Sequence, residues 1–320
     1  MLVLRKNKPS FHSIENVFGA LFASLNVETF ELPYESVGLL NRLRNIRFLK
    51  KQETDFIHIS GNDHYLLWWP FKNCILTVHD VESLNRKRGW KRWLFKVLWF
   101  DIPIRNAKIV TTISEASKKE ILRLGNYKTP IRVIPNPITL PLKYSHKEFN
   151  KVRPRILHLG VKANKNLGRL IHSLRGISCE LIIIGKATAK LTELLNRHKI
   201  QHCFKIGLTN QEVMLEYEKC DILAFVSIYE GFGLPIVEAQ AAGRVVLTSN
   251  LSSMPEVAGE GALFVNPYSI DDIRAGILNI VNNKRMRESL IEMGCENVKR
   301  FQTKKISSMY TELYLQFLND

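Results

Sequence analysis

Two glutamates with seven residues between them bracket the segment Glu230-Gly231-Phe232-Gly233-Leu234-Pro235-Ile236-Val237-Glu238. Gly231 and Gly233 carry no side chain, so backbone N–H groups there can come close to a ligand. Pro235 suits the first turn of a helix, where a missing donor costs nothing, and Gly243 suits its end. A helix start behind glycines is an anion site. The chemistry expected of Gly231, Phe232, Gly233 and Leu234 is therefore to hold a diphosphate without a metal. Glu230, in the loop, can accept hydrogen bonds from sugar hydroxyls. Glu238, about one helical turn inside, can take both hydroxyls of a ribose. The plainer reading of the nine residues is a strand, turn and helix whose acidic start favours the helix dipole.

Other candidates also follow apolar runs. Lys162 and Lys165 come after Ile156–Leu159 and Gly160. Each offers a point charge without arginine's two-pronged fork, and Lys162 reads equally well as a solvated loop charge. His79-Asp80 follows Ile75–Val78. A histidine there can hydrogen-bond a sugar and move a proton near neutral pH. Ser60-Gly61-Asn62-Asp63-His64-Tyr65 follows Phe56–Ile59 and has the composition of a cleft loop, with Gly61, Asp63, His64 and Asp80 as acceptor-side candidates. Turn chemistry beside a surface histidine explains that loop as simply. Gly185 and Ile206-Gly207-Leu208 offer backbone contacts to a base, without saying which base.

These positions need a scaffold that delivers loops to one edge. Short apolar runs alternating with amphipathic stretches predict it, because that pattern builds doubly wound parallel sheets. In the second half the predicted strands are Ile156–Leu159, Leu181–Ile184, Phe204–Ile206, Ile222–Val226, Val245–Leu247 and Ala262–Val265. Helices fall at 166–174, 189–198, 210–219, 235–242 and 270–282. In the first half the strands are Leu2–Leu4, Phe56–Ile59, Ile75–Val78, Ile109–Thr112 and Ile131–Ile134, with helices near 13–25 and 115–124. The expected organisation is an N-terminal domain over 1–140, a polar linker over 141–154 and a second domain over 155–300. A last helix over 301–320 is expected to pack back on the first domain. Ligands of such sheets bind beyond the strands' C-terminal ends, where the candidates lie.

The chain has 320 residues, enough for two cores, with 45% hydrophobic and 24% charged residues. The formal net charge is +16. Residues 1–150 hold 24 Lys+Arg against 13 Asp+Glu, a net +11. Such an excess suits nucleic acid, anionic lipid or phosphorylated substrates, and charge alone does not choose among them. Five unspaced cysteines argue against a disulfide framework or a zinc ribbon and for a reducing cytosol. The opening Met-Leu-Val-Leu-Arg-Lys is too short an apolar run for a signal peptide, and no run is long enough for a spanning helix. Any membrane contact is then peripheral, on the inner face of the plasma membrane.

The 230–238 segment resembles the donor-site motif of GT4-type retaining glycosyltransferases, the group 1 family of the GT-B fold found in bacterial surface-polysaccharide synthesis. The likeness continues through Ser249-Asn250-Leu251-Ser252-Ser253-Met254-Pro255-Glu256-Val257-Ala258-Gly259 and through Ile156-Leu157-His158-Leu159-Gly160 with Lys165-Asn166-Leu167. It implies two Rossmann-like domains facing a central cleft. It also implies a nucleoside-diphosphate sugar as donor, a glycan or lipid-linked acceptor and retention at the anomeric carbon. Lys165 becomes the partner of the donor diphosphate, and His79 a residue beside the transferred sugar. Catalytic roles are thus expected of His79, Glu230 and Lys165. Donor binding is expected of Gly160, Lys162, Gly207, Leu208 and Glu238 with the 230–234 loop. One departure stands out: Arg5-Lys6-Asn7-Lys8-Pro9 follows the first strand where the family has a glycine-rich loop. No Asp-x-Asp triplet occurs, so metal-free transfer without a cofactor is expected.

The segment Arg86-Lys87-Arg88-Gly89-Trp90-Lys91-Arg92-Trp93-Leu94-Phe95-Lys96, followed by Trp99 and Phe100, interleaves cations with aromatics. Over 86–100 it fits either an anionic membrane surface or an amphipathic helix whose tryptophans fill the core. No nucleic-acid motif accompanies it, so nucleic acid is not an expected partner. Two other functions share these features. A nucleotide-sugar epimerase would need acid and base groups beside the sugar and no acceptor. A membrane-docked binding subunit would tolerate loss of Glu230.

Overall fold

In a computed structural model of the chain, residues Leu2–Leu4, Val17, Phe18, Leu21, Leu25, 27–52, Thr54 and 56–319 are described. They divide into two units, Met1–Thr139 with Gln302–Asp320, and Leu140–Phe301. The Arg5–Pro9 loop and most of the helix expected near 13–25 lie outside the described residues; Val17, Phe18 and Leu21 are helical and buried.

The first unit holds a six-stranded parallel sheet. Its strands are β1 (Leu2–Leu4), β2 (Thr29–Glu31), β3 (Ile57–Ile59), β4 (Cys74–Val78), β5 (Ile109–Thr112) and β6 (Ile131–Val133), in spatial order β2-β1-β3-β4-β5-β6. Neighbours are parallel throughout. Residues of β4 are buried on both faces, as expected of a parallel sheet covered by helices. Its core runs from Leu32 and Ile46 through Tyr65, Leu76 and Phe100 to Ile121.

The elements that escape the sequence pattern include a strand and a long helix. The strand β2 is three residues long with two exposed side chains, too short to show a period. The helix Leu39–Lys50 starts behind Gly38 with no side-chain cap and no acidic residue in its first turn, so the usual start signals are missing. The closing helix Thr303–Asn319 belongs to this unit. Its Tyr314 hydroxyl lies 2.7 Å from His58 Nδ1, and His58 Nε2 lies 2.7 Å from Thr77 Oγ1.

The second unit is another six-stranded parallel sheet: β7 (Arg155–Leu159), β8 (Glu180–Ile184), β9 (Gln201–Lys205), β10 (Ile222–Phe225), β11 (Val245–Ser249) and β12 (Leu263–Val265). The order is β12-β11-β10-β7-β8-β9. That is the dinucleotide-fold order, reversing between β7 and β10. The strand expected at Phe204–Ile206 lies earlier, at Gln201–Lys205. As an edge strand with alternating exposure, it lacks the apolar run that marks its neighbours. Helix 210–219 forms where expected because Thr209 and Glu212 make a reciprocal capping box.

The polar 141–154 segment is tied down within this unit. Lys147 pairs with buried Asp221, which also accepts from the backbone of Asn150 and Arg155. Arg244, buried, donates to Ser145 O at 2.8 Å.

Candidate functional site

The reversal between β7 and β10 leaves a crevice at the C-terminal ends of both strands. From β7 the chain turns at Gly160, whose φ is +91°; a Cβ there would lie 2.9 Å from Lys165 Cγ. Only glycine lets the lysine stem cross back over the strand end. Lys165 closes a short 3-10 turn, Ala163–Lys165. Its Nζ lies 2.8 Å from Glu230 Oε1 and 4.8 Å from the Phe225 ring centroid. Glu230 belongs to the loop after β10. Two segments 65 residues apart thus deliver a cation and a carboxylate to one point, with side-chain exposures of 20% and 14%.

The 230–233 loop is fixed through its carbonyls. Ser252 Oγ donates to Glu230 O at 2.6 Å, and Ser253 Oγ lies 2.9 Å from the same oxygen and 2.6 Å from Phe232 O. Across the crevice, Ile228 N donates to Asn164 O at 2.8 Å, and Asn164 Nδ2 donates to Tyr229 O at 3.1 Å. Asn166, left-handed at φ +61°, donates to Val226 O at 3.0 Å and Pro267 O at 2.7 Å. With its carbonyls engaged, the loop turns at Gly233, φ +114°, into the helix Leu234–Ala241, with Pro235 in its first turn.

Glu238 is buried inside that helix, and the Tyr217 hydroxyl donates to its Oε2 at 2.7 Å. Burial first, and the nearby carboxylate second, hold the Tyr217 hydroxyl well above its ordinary pKa. It therefore stays a donor. Phe232, expected among the donor-binding residues, turns its ring onto Phe301 at 5.6 Å and is 5% exposed; its backbone alone is available. Lys162 is exposed, and Gly207, at φ +67°, is exposed beyond β9 beside half-buried Leu208. His158 on β7 is buried with its Nδ1 2.8 Å from Ala224 O, and desolvation lowers its pKa to about 4.

In the first unit, His79 follows β4 directly and is 6% exposed, with Nε2 2.7 Å from Ser60 O beyond β3. The Ser117 hydroxyl donates to His79 O at 3.1 Å. The structure thus brings His79 to the 60–65 loop, where Gly61 and Asp63 are also buried. His64 is no surface histidine. It is 1% exposed, its Nδ1 lies 2.7 Å from Trp99 O, and burial lowers its pKa to about 4. Asp80 accepts from Glu82 N at 2.8 Å, just ahead of the helix Glu82–Asn85; burial raises its pKa, opposed by that hydrogen bond.

Residues 145–296 match the family model described as glycosyl transferases group 1, and residues 9–140 match that of glycosyltransferase family 4. The chain belongs to the GT4-type glycosyltransferases. It is an enzyme of that class, with two parallel-sheet units of the GT-B fold. An O-antigen chain mannosyltransferase B of Escherichia coli is 26% identical over 307 residues, covering 88% of this glycosyltransferase and 79% of the relative. Two solved structures share the fold. Sucrose-phosphate synthase from Thermosynechococcus elongatus is 18% identical at TM-score 0.79, over 99% of this chain and 88% of that one. HepE from Anabaena, solved with UDP and glucose, is 17% identical at TM-score 0.78, over 98% and 99%.

The sequence marks none of the two serines, the two asparagines or Tyr217 for these roles. Ser252, Ser253 and Asn166 lie within the family-like segments, but nothing in their spacing tells which backbone groups they hold.

Proposed function

We propose that this glycosyltransferase transfers a hexosyl group from a nucleoside-diphosphate sugar to a hydroxyl of a glycan or lipid-linked acceptor in surface-polysaccharide synthesis, with retention and without a metal. The observation that carries the reading is the Lys165–Glu230 pair, 2.8 Å apart at the sheet's reversal point beside a glycine-led helix start. In this reading Lys165 and the 231–234 backbone take up charge on the departing diphosphate, the term that contributes most to such reactions. Glu230 receives sugar hydroxyls, and Glu238 binds the ribose. The bond from the anomeric carbon to the phosphate oxygen breaks, the acceptor oxygen bonds to that carbon on the same face, and the acceptor's proton passes to the leaving phosphate. In the first unit, His79 is the proposed sugar-contacting residue, with Gly61 and Asp63 as acceptor-side candidates. Mannose is the sugar favoured by the name of the E. coli relative.

The test is a thermal-shift panel of UDP-, GDP- and ADP-sugars, then turnover and product stereochemistry with the best donor. Glu238→Ala should weaken donor binding and turnover together, and turnover should survive EDTA. Donor binding unchanged in Glu238→Ala would remove the ribose assignment. Activity lost on chelation and restored by manganese would overturn metal-free transfer.

A further inference from the structure

The segment 86–100 divides in the fold. Phe95 and Trp99 pack against the first unit's core and Phe100 is buried, but the helix Gly89–Lys96 buries none of its residues. Trp90 is 70% exposed and Trp93 is 65% exposed. With Leu94, also exposed, they occupy positions i, i+3 and i+4, one face of a helix.

A second helix repeats the arrangement. Leu39–Lys50 buries Asn45, Ile46 and Leu49, while Leu39, Leu40 and Leu43 stand exposed, Leu40 at 72%. The two helices are neighbours. The Arg42 guanidinium sits 4.8 Å over the Trp99 ring, and Trp99 stacks on Phe95 at 5.4 Å. The backbone beneath Trp99 is tied to the 64–68 turn: Trp68 Nε1 donates to Leu98 O at 2.6 Å, and buried His64 Nδ1 lies 2.7 Å from Trp99 O. Exposed Trp69 lies beside it, with Lys50 Nζ 4.0 Å from its ring centroid.

Charge selects the occupant. Residues 39–50 contain four Lys/Arg, residues 86–96 contain six, and neither stretch contains an acid. Exposed tryptophans and leucines on basic helices are the composition that seats in the headgroup region of an anionic bilayer, with cations on the headgroups and aromatics at the acyl boundary. A nucleic-acid groove would call for the cations and leave three bare leucines unexplained. No helix among the described residues is long and apolar enough to cross a membrane, so the contact is superficial. We propose that the first unit docks on an anionic lipid surface through two helices, Leu39–Lys50 and Gly89–Lys96. The donor site plays no part in this inference.

The test is co-sedimentation of the full chain with vesicles of phosphatidylcholine alone or mixed with phosphatidylglycerol, read with tryptophan emission. The protein should pellet with the mixed vesicles, shift its emission to the blue and bind more weakly as salt rises. Trp90→Ala/Trp93→Ala and, separately, Leu40→Ser/Leu43→Ser should each weaken binding about tenfold. Their thermal midpoints should be unchanged, because the altered side chains are exposed. Three results overturn the proposal: no binding to anionic vesicles at low salt, equal binding to both vesicle types, or leucine variants that bind like the parent. A concentration-dependent dimer abolished by the tryptophan substitutions would assign the face to a second copy instead.

Discussion

The Glu230 carboxylate already neutralises Lys165, so an incoming diphosphate has to compete for the ammonium. Glu230→Gln removes the competitor and keeps a hydrogen-bonding group. Bare nucleoside diphosphate should bind the variant about 3- to 10-fold more tightly, since partly exposed pairs are worth on the order of 1 kcal/mol. Transfer should fall by roughly 10² or more, because a group facing the sugar is lost. Calorimetry showing weaker or unchanged diphosphate binding would discard the competition. Tyr217→Phe probes the other carboxylate. It strips the hydroxyl from Glu238 Oε2 in a buried setting, a loss of about 1–3 kcal/mol. The donor KM should rise more than kcat falls, since the proposed ribose contact is made equally before and during transfer; a change confined to kcat would assign Glu238 to the chemical step. At this scale the sequence exposed the residues that glycines and spacing mark, such as Gly160, Lys165 and Glu230. It concealed their partners, because Tyr217, Ser252 and Ser253 act through contacts that no local pattern records.

At the scale of elements, legibility follows burial. Strands β7 and β8, buried at their centres, and β10, buried throughout, read as apolar runs, while edge strands β2 and β9 carry exposed positions and no such run. The closing helix gains its place through a polar network that joins residues 256 positions apart. Tyr314 meets His58, His58 meets Thr77, Thr77 Oγ1 lies 2.7 Å from Thr111 Oγ1, and Tyr310 hydrogen-bonds both threonines. Tyr314→Phe keeps the ring and leaves His58 Nδ1 buried without its partner, which should cost about 1–3 kcal/mol. Denaturant unfolding would register this as a lower midpoint at unchanged slope. An unchanged midpoint would mean that apolar packing alone, Phe56 against Tyr314 at 5.1 Å, holds the helix.

For the whole molecule, three buried histidines set the response to acid. Desolvation lowers His58 to about 3, His64 to about 4 and His158 to about 4, against 6.5 for an exposed imidazole. Below pH 6.5 the unfolded chain therefore takes up protons that the folded chain refuses. Stability is intact above 6.5 and falls with pH until these groups protonate in the fold, near pH 4 to 3. The loss approaches about 1.4 kcal/mol per pH unit for each histidine. Asp80, raised by burial, binds its proton more readily in the fold and opposes the trend, one group against three. Most carboxylates remain ionised down to about pH 5, so the interval from 6.5 to 5 isolates the histidines. Urea midpoints should hold between pH 8 and 7 and then drop by pH 5.5, with about 1 kcal/mol lost per histidine. A midpoint that stays level to pH 5 would show that these imidazoles accept protons inside the fold, and that His58 can exchange its partners Tyr314 and Thr77 without loosening the sheet they join.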